Sequence, residues 1–204
     1  MIKTKECGEP LIDIKKVCPM VVVCLGKDSF GRERKAFFRE SVARMICDAK
    51  KMLPNDMTFI IRDAWRPQSL QKEIFAQFID DFSKKYPNWT RDRIINEVNK
   101  YVAPFEGRYV SGHMTGGAVD LRLLKNGRRV PMRSLKLSYQ ENAKSIQPKL
   151  PKYIQRNREI MFDALSSVGL SNYPKEFWHW SYGDIWWAKR NKKKIAIYGM
   201  VKEL

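Results

Sequence analysis

The two histidines of this 204-residue chain, His113 and His179, each lie close to a carboxylate in a short motif. Asp120 follows the first histidine by seven positions, and Glu176 precedes the second by three. Imidazole nitrogen and carboxylate oxygen are the usual ligands of a catalytic zinc ion, and two histidines with one carboxylate leave one tetrahedral position open for water. Because the chain offers such a set with one carboxylate to spare, we expect an enzyme with one zinc site.

The first motif runs from Ser111 to Asp120 and is rich in glycine. Glycine allows a tight backbone path between a histidine in a loop and an aspartate on a strand. Asp120 has the apolar neighbours Val119 and Leu121, and a carboxylate in such a place is costly unless a cation compensates its charge. A metal ion would compensate it. The alternative for each residue alone is structural: a hydrogen-bonded histidine in a loop, and an aspartate paired with an arginine.

The second motif surrounds His179 with the aromatic residues Phe177, Trp178 and Trp180. A histidine stacked in the core is therefore an alternative to a metal ligand. In a regular strand Glu176, three residues earlier, would face the opposite side from His179. If both side chains serve one site, the segment must bend or twist.

Arg66 is a further candidate site residue, because it precedes Pro67 at a predicted strand-to-helix corner. Proline disfavours the helical conformation for the residue before it, which keeps Arg66 outside the helix. Such a corner can project a guanidinium into a cleft. A surface position or a contact with phosphate is an equally open alternative for this arginine.

The elements that must position these residues are helices and strands without regular alternation. Apolar residues at helical spacing predict helices over 38–53, from 67 to before 86, over 91–101 and over 152–168. Short β-rich runs predict strands at 21–23, 57–61, 118–124, 128–132, 176–182 and 195–201, with a hairpin turn at 126–127. The polar residues 133–149 predict a loop. This mixture indicates an α+β fold in which helices flank a small antiparallel sheet.

Length and composition indicate one globular domain over residues 1–204, because 44% of the residues are hydrophobic and 12% are aromatic. The four cysteines lack a metal-binding spacing, so we expect free buried thiols in a reducing compartment. We find neither a signal peptide nor an apolar run that approaches the roughly 20 residues of a membrane helix. These features predict a cytoplasmic protein without a membrane span.

The formal net charge of +17 favours anionic partners. The densest basic cluster lies at 189–194, where a solvated turn before a strand is the plainer interpretation. No recognisable nucleic-acid-binding motif accompanies the charge. We therefore expect at most weak binding to anionic wall polymers, and no specific nucleic-acid partner.

Together the motifs resemble those of the zinc-dependent D-alanyl-D-alanine dipeptidases, the VanX type associated with vancomycin resistance, within the D,D-peptidase (peptidase M15) family. Three phrases carry the resemblance: Ser-x-His-x-x-Gly-x-Ala-x-Asp at 111–120, Glu-x-Trp-His at 176–179, and Asp-Ala-aromatic-Arg-Pro at 63–67. Their order and rough spacing also agree, so the similarity spans about residues 9–200. It implies a fold of the Hedgehog and D,D-peptidase type.

The resemblance implies a role for each of six residues: zinc ligation for His113, Asp120 and His179, general base and acid for Glu176, transition-state stabilisation for Arg66, and a wall of the substrate pocket for Ser111. The implied substrate is the D-alanyl-D-alanine dipeptide, cleaved to two D-alanines. Phe177 departs from the dipeptidases, which usually have tryptophan there, and so lacks an indole N–H donor. The carboxypeptidase branch typically has proline just before the Trp-His pair, and its absence here favours a dipeptidase.

Two other functions stay open on the sequence alone. A peptidoglycan-trimming D,D- or L,D-carboxypeptidase would use the same zinc site in a more open groove. A basic binding module for nucleic acid or wall polymer is less favoured, because a structural zinc site is normally closed by four cysteine or histidine ligands.

Overall fold

The structure, a computed structural model, describes residues 2–27, 33–103 and 110–204. The strands are β1 (Lys3–Thr4), β2 (Leu11–Asp13), β3 (Val22–Val23), β4 (Phe37–Arg39), β5 (Met57–Asp63), β6 (Ala118–Lys125), β7 (Arg128–Arg129), β8 (Ser171–Tyr173), β9 (Glu176–Ser181) and β10 (Ile195–Ala196). The helices are α1 (Ile14–Val17), α2 (Glu40–Lys51), α3 (Gln68–Lys85), α4 (Arg91–Val98), α5 (Tyr139–Ala143), α6 (Lys152–Ser167) and α7 (Ile185–Arg190), with a 3₁₀ turn at Gly112–Thr115.

The main sheet has the strand order β3-β5-β6-β9-β8, and β7 pairs with β6 beside it. Strands β5, β6, β9 and β8 are antiparallel to one another in turn, whereas β3 runs parallel to β5 at one edge. Two shorter pairs, β2 with β4 and β1 with β10, lie outside this sheet. The α+β class predicted from the sequence is confirmed, and the centre of the sheet is antiparallel as expected.

One face of the sheet is apolar and packs against helices. Ile61, Leu121 and Leu123 are fully buried and share one core with residues of α2 and α6. Side chains alternate between the two faces of a strand, so the opposite face of β6 carries Asp120 and Arg122. Helix packing therefore stabilises one face, and the other face is left for polar groups.

The four predicted helices are present as α2, α3, α4 and α6, with ends that differ by a few residues. The predicted loop at 133–149 instead contains α5. The Ser138 hydroxyl accepts a hydrogen bond from the Glu141 backbone N–H, and the Glu141 carboxylate accepts one from the Ser138 backbone N–H. This capping box satisfies two donors that a helix start leaves free, which stabilises a short helix in a polar segment.

The C-terminal part differs from the prediction in two respects. Lys189 and Arg190 belong to the last turn of α7 rather than to an open turn, a place where cations interact favourably with the helix dipole. Strand β10 contains two residues, because the next two backbone N–H groups, of Ile197 and Tyr198, both donate to the carbonyl oxygen of Gly183.

The thiols also differ in part from the prediction. All four cysteines are free, but only Cys18 and Cys47 are buried. Cys7 is exposed.

Helices α3 and α4 pack against each other around a second, smaller core. Its buried members are Ile94, Val98 and Val102, and the predicted apolar stripe of α3 packs on them through Ile74 and Phe78. Helix α3 is 18 residues long. No helix in the described ranges combines such a length with the apolar composition that is needed to cross a bilayer.

Candidate active site

Asp120 and His179 lie directly opposite each other on the neighbouring strands β6 and β9. Paired residues of adjacent strands project from the same face of a sheet. The His179 Nδ1 atom is accordingly 2.9 Å from the Asp120 Oδ1 atom. Strand pairing therefore joins two candidate ligands that are 59 positions apart in the chain.

His113 reaches the same point from the 3₁₀ turn Gly112–Thr115. Its Nδ1–H donates a hydrogen bond to the backbone carbonyl oxygen of Ala64 at 3.0 Å. This bond fixes the orientation of the ring and leaves Nε2 with the free lone pair. The turn ends at Gly116, whose φ of 71° lies in the region that favours glycine. The chain can therefore turn from this histidine into β6, which begins at Ala118.

The donor atoms of these three residues form a small triangle. The distances are 3.2 Å from His113 Nε2 to His179 Nδ1, 3.3 Å from His113 Nε2 to Asp120 Oδ1, and 2.9 Å from His179 Nδ1 to Asp120 Oδ1. In a tetrahedral zinc site with bonds of about 2.0–2.1 Å, neighbouring ligand atoms are about 3.3 Å apart. The triangle thus fits three corners of such a site. Within the described part of the chain it is the one group of three His, Cys, Asp or Glu side chains close enough to share a metal ion.

Glu176 lines the same cavity as His179 because β9 is irregular. On β8, Asn172 pairs with Trp180, but the next residue, Tyr173, pairs with Glu176. Three residues of β9 therefore bulge out between these two pairs. The bulge removes the strict alternation that would place Glu176 and His179 on opposite faces. Strand β9 therefore has the bend that is needed for Glu176 and His179 to line one site.

The side chain of Asn172 holds this bulge, and no sequence pattern indicated its importance. Its Nδ2 donates to the backbone carbonyl oxygens of Glu176, Phe177 and His179 at 3.1, 3.2 and 3.0 Å. Its Oδ1 accepts a hydrogen bond from the Ser145 hydroxyl. A bulged strand loses part of its ladder of hydrogen bonds, and the asparagine amide replaces them. Asn172 thereby positions two site residues through their backbone.

Arg66 is fixed at the corner between β5 and α3. Its Nε donates to the Asp63 carboxylate at 2.7 Å, and its Nη1 donates to the side-chain oxygen of Gln71 at 3.0 Å. Gln71, which sequence reasoning missed, is fully buried and donates in turn to a backbone carbonyl. Burial lowers the pKa of Arg66, but the nearby carboxylates, Asp63 first among them, outweigh burial and raise this pKa above its ordinary value. The guanidinium therefore stays charged.

All six candidate residues line one cavity of about 430 Å³: Arg66, Ser111, His113, Asp120, Glu176 and His179. The aromatic side chains of Tyr139, Tyr173 and Trp178 complete much of its wall. Another cavity, of about 550 Å³, lies at the hairpin that follows β6 and contains none of the six. The geometry thus gathers every candidate at one place, while the role of each residue stays a prediction.

The two carboxylates of the cavity have pKa values that are shifted in opposite directions. Burial raises the pKa of Asp120, but the two histidines together outweigh it and hold this pKa well below its ordinary range. Burial also raises the pKa of Glu176, and the opposing effect of His179 only partly offsets it, so this pKa stays above its usual value. Two carboxylates with pKa values shifted apart can take different roles: Asp120 stays ionised, whereas Glu176 can accept and release a proton.

Comparison with known proteins agrees with the motifs and the geometry. Residues 13–196 match the model of the family Peptidase M15, described as D-Ala-D-Ala dipeptidase. A D-alanyl-D-alanine dipeptidase of Synechocystis sp. (strain ATCC 27184 / PCC 6803 / Kazusa) is 28% identical over 236 aligned positions, which cover 98% of this chain and 95% of that protein.

Two solved structures share the fold. VanYB in complex with D-alanine-D-alanine has a TM-score of 0.52 and 17% identity, with 82% of this chain and 81% of that chain covered. A mutant of the vancomycin resistance D,D-pentapeptidase VanY, in complex with Zn(II), has a TM-score of 0.52 and 15% identity, with 96% and 94% covered. The predicted D,D-peptidase-like fold is confirmed. Since the family model matches most of its length, this chain belongs to the M15 family of peptidases.

Proposed function

We propose that this protein is a zinc-dependent metallopeptidase that hydrolyses the D-alanyl-D-alanine dipeptide to two D-alanines. The observation that carries the proposal is the triangle of donor atoms on His113, Asp120 and His179, with sides of 2.9, 3.2 and 3.3 Å. The name of the Synechocystis relative supports the substrate. The complexes of VanYB with D-alanine-D-alanine and of VanY with Zn(II) support the ligand and the metal.

His113 Nε2, Asp120 Oδ1 and His179 Nδ1 would hold the zinc ion. Three protein donors, rather than four, are typical of a catalytic zinc site. When bound, the ion supplies a Lewis acid that polarises a carbonyl group and lowers the pKa of water. Because the pKa of Asp120 is held low, no proton competes for its oxygen at neutral pH.

Glu176 is proposed as the group that moves the proton. Its carboxylate accepts a proton from the attacking water and later gives it to the amine nitrogen of the leaving D-alanine. Burial raises the pKa of Glu176 towards neutrality, where a general base and acid is most effective. The Asn172 amide keeps this carboxylate near the scissile bond, because it fixes the backbone that carries it.

Arg66 is proposed to stabilise the negative charge that develops on the carbonyl oxygen. Asp63 and Gln71 engage three of the five N–H groups of its guanidinium among the described residues, so two stay free for the substrate. A donor held in advance by its neighbours needs no reorganisation as the charge forms. Ser111, which is buried in the cavity wall, would contact the bound dipeptide.

A D,D- or L,D-carboxypeptidase that acts on longer peptides is the second candidate. The cavity of about 430 Å³ lies within the range of about 300–1,000 Å³ that accommodates drug-sized ligands, which is generous for a dipeptide. The free dipeptide and a pentapeptide stem ending in D-alanyl-D-alanine distinguish the two candidates. A dipeptidase has the higher kcat/KM on the dipeptide.

The test is metal analysis of the purified protein together with an assay of D-alanine release, before and after chelation. We expect one zinc ion per chain, loss of hydrolysis on chelation, and recovery when zinc is restored. Activity that survives complete removal of metal would overturn the proposal. Equimolar zinc without hydrolysis of any D-alanyl-D-alanine substrate would instead favour a binding module.

A further inference from the structure

Arg190, the last residue of α7, contributes to the wall of the candidate active site. Two serines of the neighbouring strands hold one edge of its guanidinium. Its Nε donates to the Ser171 hydroxyl at 3.1 Å, and its Nη2 donates to the Ser171 carbonyl oxygen at 3.2 Å and to the Ser181 hydroxyl at 2.6 Å. Both strands therefore fix this cation, although the sequence indicated only a solvated basic cluster at 189–194.

The other edge of this guanidinium is free to bind a ligand. The two N–H groups of Nη1 have no partner among the residues that the structure describes, and none of those residues forms an ion pair with Arg190. Burial lowers the pKa of Arg190, and interactions with Asp184 and Tyr173 offset this effect only in part. The Asp184 carboxylate instead accepts a hydrogen bond from the Trp187 backbone N–H. Because a guanidinium keeps its charge in proteins, the wall of the cavity contains an incompletely compensated cation.

The other lysine and arginine in the described part of this cavity wall are already paired with carboxylates. Arg66 is bound by the Asp63 carboxylate. Lys100 forms an ion pair with Glu97 at 2.7 Å, and its side chain is 65% exposed to solvent. Among the described residues, Arg190 is therefore the cation that a carboxylate of the substrate can reach without displacing one that belongs to the chain.

Strand pairing fixes the place of Arg190 relative to the candidate metal ligands. Ser181 follows His179 by two positions on β9 and pairs with Ser171 on β8. Residues two apart on a strand project from the same face, about 6–7 Å from each other. Since Arg190 is bonded to both serines, it lies over the sheet face that carries Asp120 and His179, about one such step from them.

The terminal carboxylate of a bound dipeptide would lie at a matching distance. When the scissile carbonyl group is at the metal centre, the carboxylate lies one residue further on, which is about 3.3–3.6 Å. A hydrogen bond from a charged N–H donor to a carboxylate adds about 2.7–2.9 Å. Together these lengths come close to the step of about 6–7 Å that separates same-face residues of a strand. The ammonium group at the other end of the dipeptide would be repelled by a guanidinium.

We propose that Arg190 binds the C-terminal carboxylate of the substrate through Nη1 and thereby selects peptides whose D-alanine end is free. This inference rests on the proposed function, and it adds a specificity-determining residue to the candidate active site. Loss of a hydrogen bond between charged groups weakens an interaction by about 10- to 100-fold. We therefore expect the protein to prefer the dipeptide over its C-terminal amide by about this factor.

The test compares kcat/KM for D-alanyl-D-alanine with kcat/KM for D-alanyl-D-alanine amide, which lacks the terminal charge. The ratio should be about 10–100 in the unmodified protein and fall towards one in Arg190→Gln, because only the charged substrate loses its partner. Arg156→Gln, at an exposed residue of α6, removes the same charge away from the cavity and should keep the ratio. A ratio near one in the unmodified protein, or a ratio that Arg190→Gln retains, overturns the proposal.

A second variant and a binding measurement cover the other outcomes. If Arg190→Gln does not fold, Arg190→Lys keeps the charge but cannot bond to both serines and to a carboxylate at once. Its ratio should fall severalfold, and an unchanged ratio overturns the proposal. If the zinc-loaded unmodified protein hydrolyses neither compound, the proposed function fails. Calorimetry of the dipeptide and its amide then decides the role of Arg190 alone: the unmodified protein must bind the dipeptide more tightly, and the folded Arg190 variant must lose that preference.

Discussion

The two adjoining cavities of this protein differ in how their charges are balanced. In the candidate active site the histidines face Asp120 at 2.9 and 3.3 Å and hold the pKa of its carboxyl well below the ordinary range. The second cavity, of about 390 Å³, adjoins the first and is lined by Arg62, Arg122, Arg129 and Arg133. There, burial first and then the charge of Arg133 lower the pKa of Arg122 to about 10. Apart from Arg190, the charges of the first cavity are paired with other groups of the chain, whereas three of the four arginines of the second, Arg62, Arg129 and Arg133, are exposed to solvent. Paired charges and solvated charges therefore lie side by side on one face of the sheet.

The replacement Glu176→Gln should have the largest effect, because it removes the proton carrier from the first cavity and keeps its shape. We expect kcat for dipeptide hydrolysis to fall by about 10²–10⁴-fold. Zinc content, measured by atomic absorption, should stay at one ion per chain, since the triangle of donors is intact. Glu159→Gln on α6 is the matched control, because it removes an exposed carboxylate outside both cavities. Turnover near that of the unmodified protein would remove Glu176 from the mechanism.

The replacement Arg66→Lys should be the next most damaging. A lysine ammonium cannot hold the geometry that Asp63 and Gln71 impose on the guanidinium. Loss of a donor to a developing oxyanion typically costs about 10²–10³-fold in rate. The effect should appear in kcat with zinc content unchanged. A change confined to KM would assign Arg66 to binding of the ground state instead.

The replacement Asn172→Ala tests how far the active site depends on the bulge in β9. The alanine variant lacks the amide that donates to three carbonyl oxygens. The backbone at Glu176 and His179 is then no longer held in place. Losses of supporting hydrogen bonds around metal ligands typically cost about 10–100-fold in metal affinity or activity. Zinc affinity and the pH profile of kcat measure the loss.

The control for this variant is Asn157→Ala, because Asn157 also donates its amide to a backbone carbonyl but lies outside both cavities. We expect it to leave zinc affinity unchanged. If both variants lower only the melting temperature, Asn172 serves stability rather than positioning.

The smallest effect should come from Glu9, a carboxylate remote from both cavities. It accepts hydrogen bonds from the Tyr198 hydroxyl at 2.5 Å and from the Ser41 backbone N–H. Burial raises the pKa of Glu9, but these bonds together outweigh it and lower this pKa below the ordinary 4.5. A lowered pKa stabilises the fold above that ordinary value, and the stabilisation is lost as pH falls through the pKa of the folded state.

The replacement Glu9→Gln should therefore destabilise the protein at neutral pH, with a difference from the unmodified protein that shrinks as pH falls below about 4. Melting temperatures between neutral and acidic pH measure this trend. Glu203→Gln, at an exposed residue near the C-terminus, is the control. A difference that grows on acidification would contradict the assigned role.

The sequence predicted the long helices, whose apolar residues recur at a regular spacing, but it did not predict the short helix α5. Helices α2, α3 and α6 follow from apolar spacing, because each buries a stripe against a core. Helix α5 was missed although its signal is local: Ser138 and Glu141 have the spacing of a capping box. The bulge in β9 had no such signal, since Asn172 lies before a turn, where asparagine is common for other reasons.

By itself the sequence determined which chemistry is available, because a chain with two histidines has few ways to bind a catalytic metal. Side-chain types are properties of single positions, so motifs were enough to choose His113, Asp120 and His179. Only the tertiary structure decided the distances, since groups 59 and 66 positions apart come within 3.2 Å through strand pairing and a 3₁₀ turn. For the same reason the sequence did not predict the cavity lined by Arg62, Arg122, Arg129 and Arg133, because these residues lie far apart in the chain and only folding brings them together.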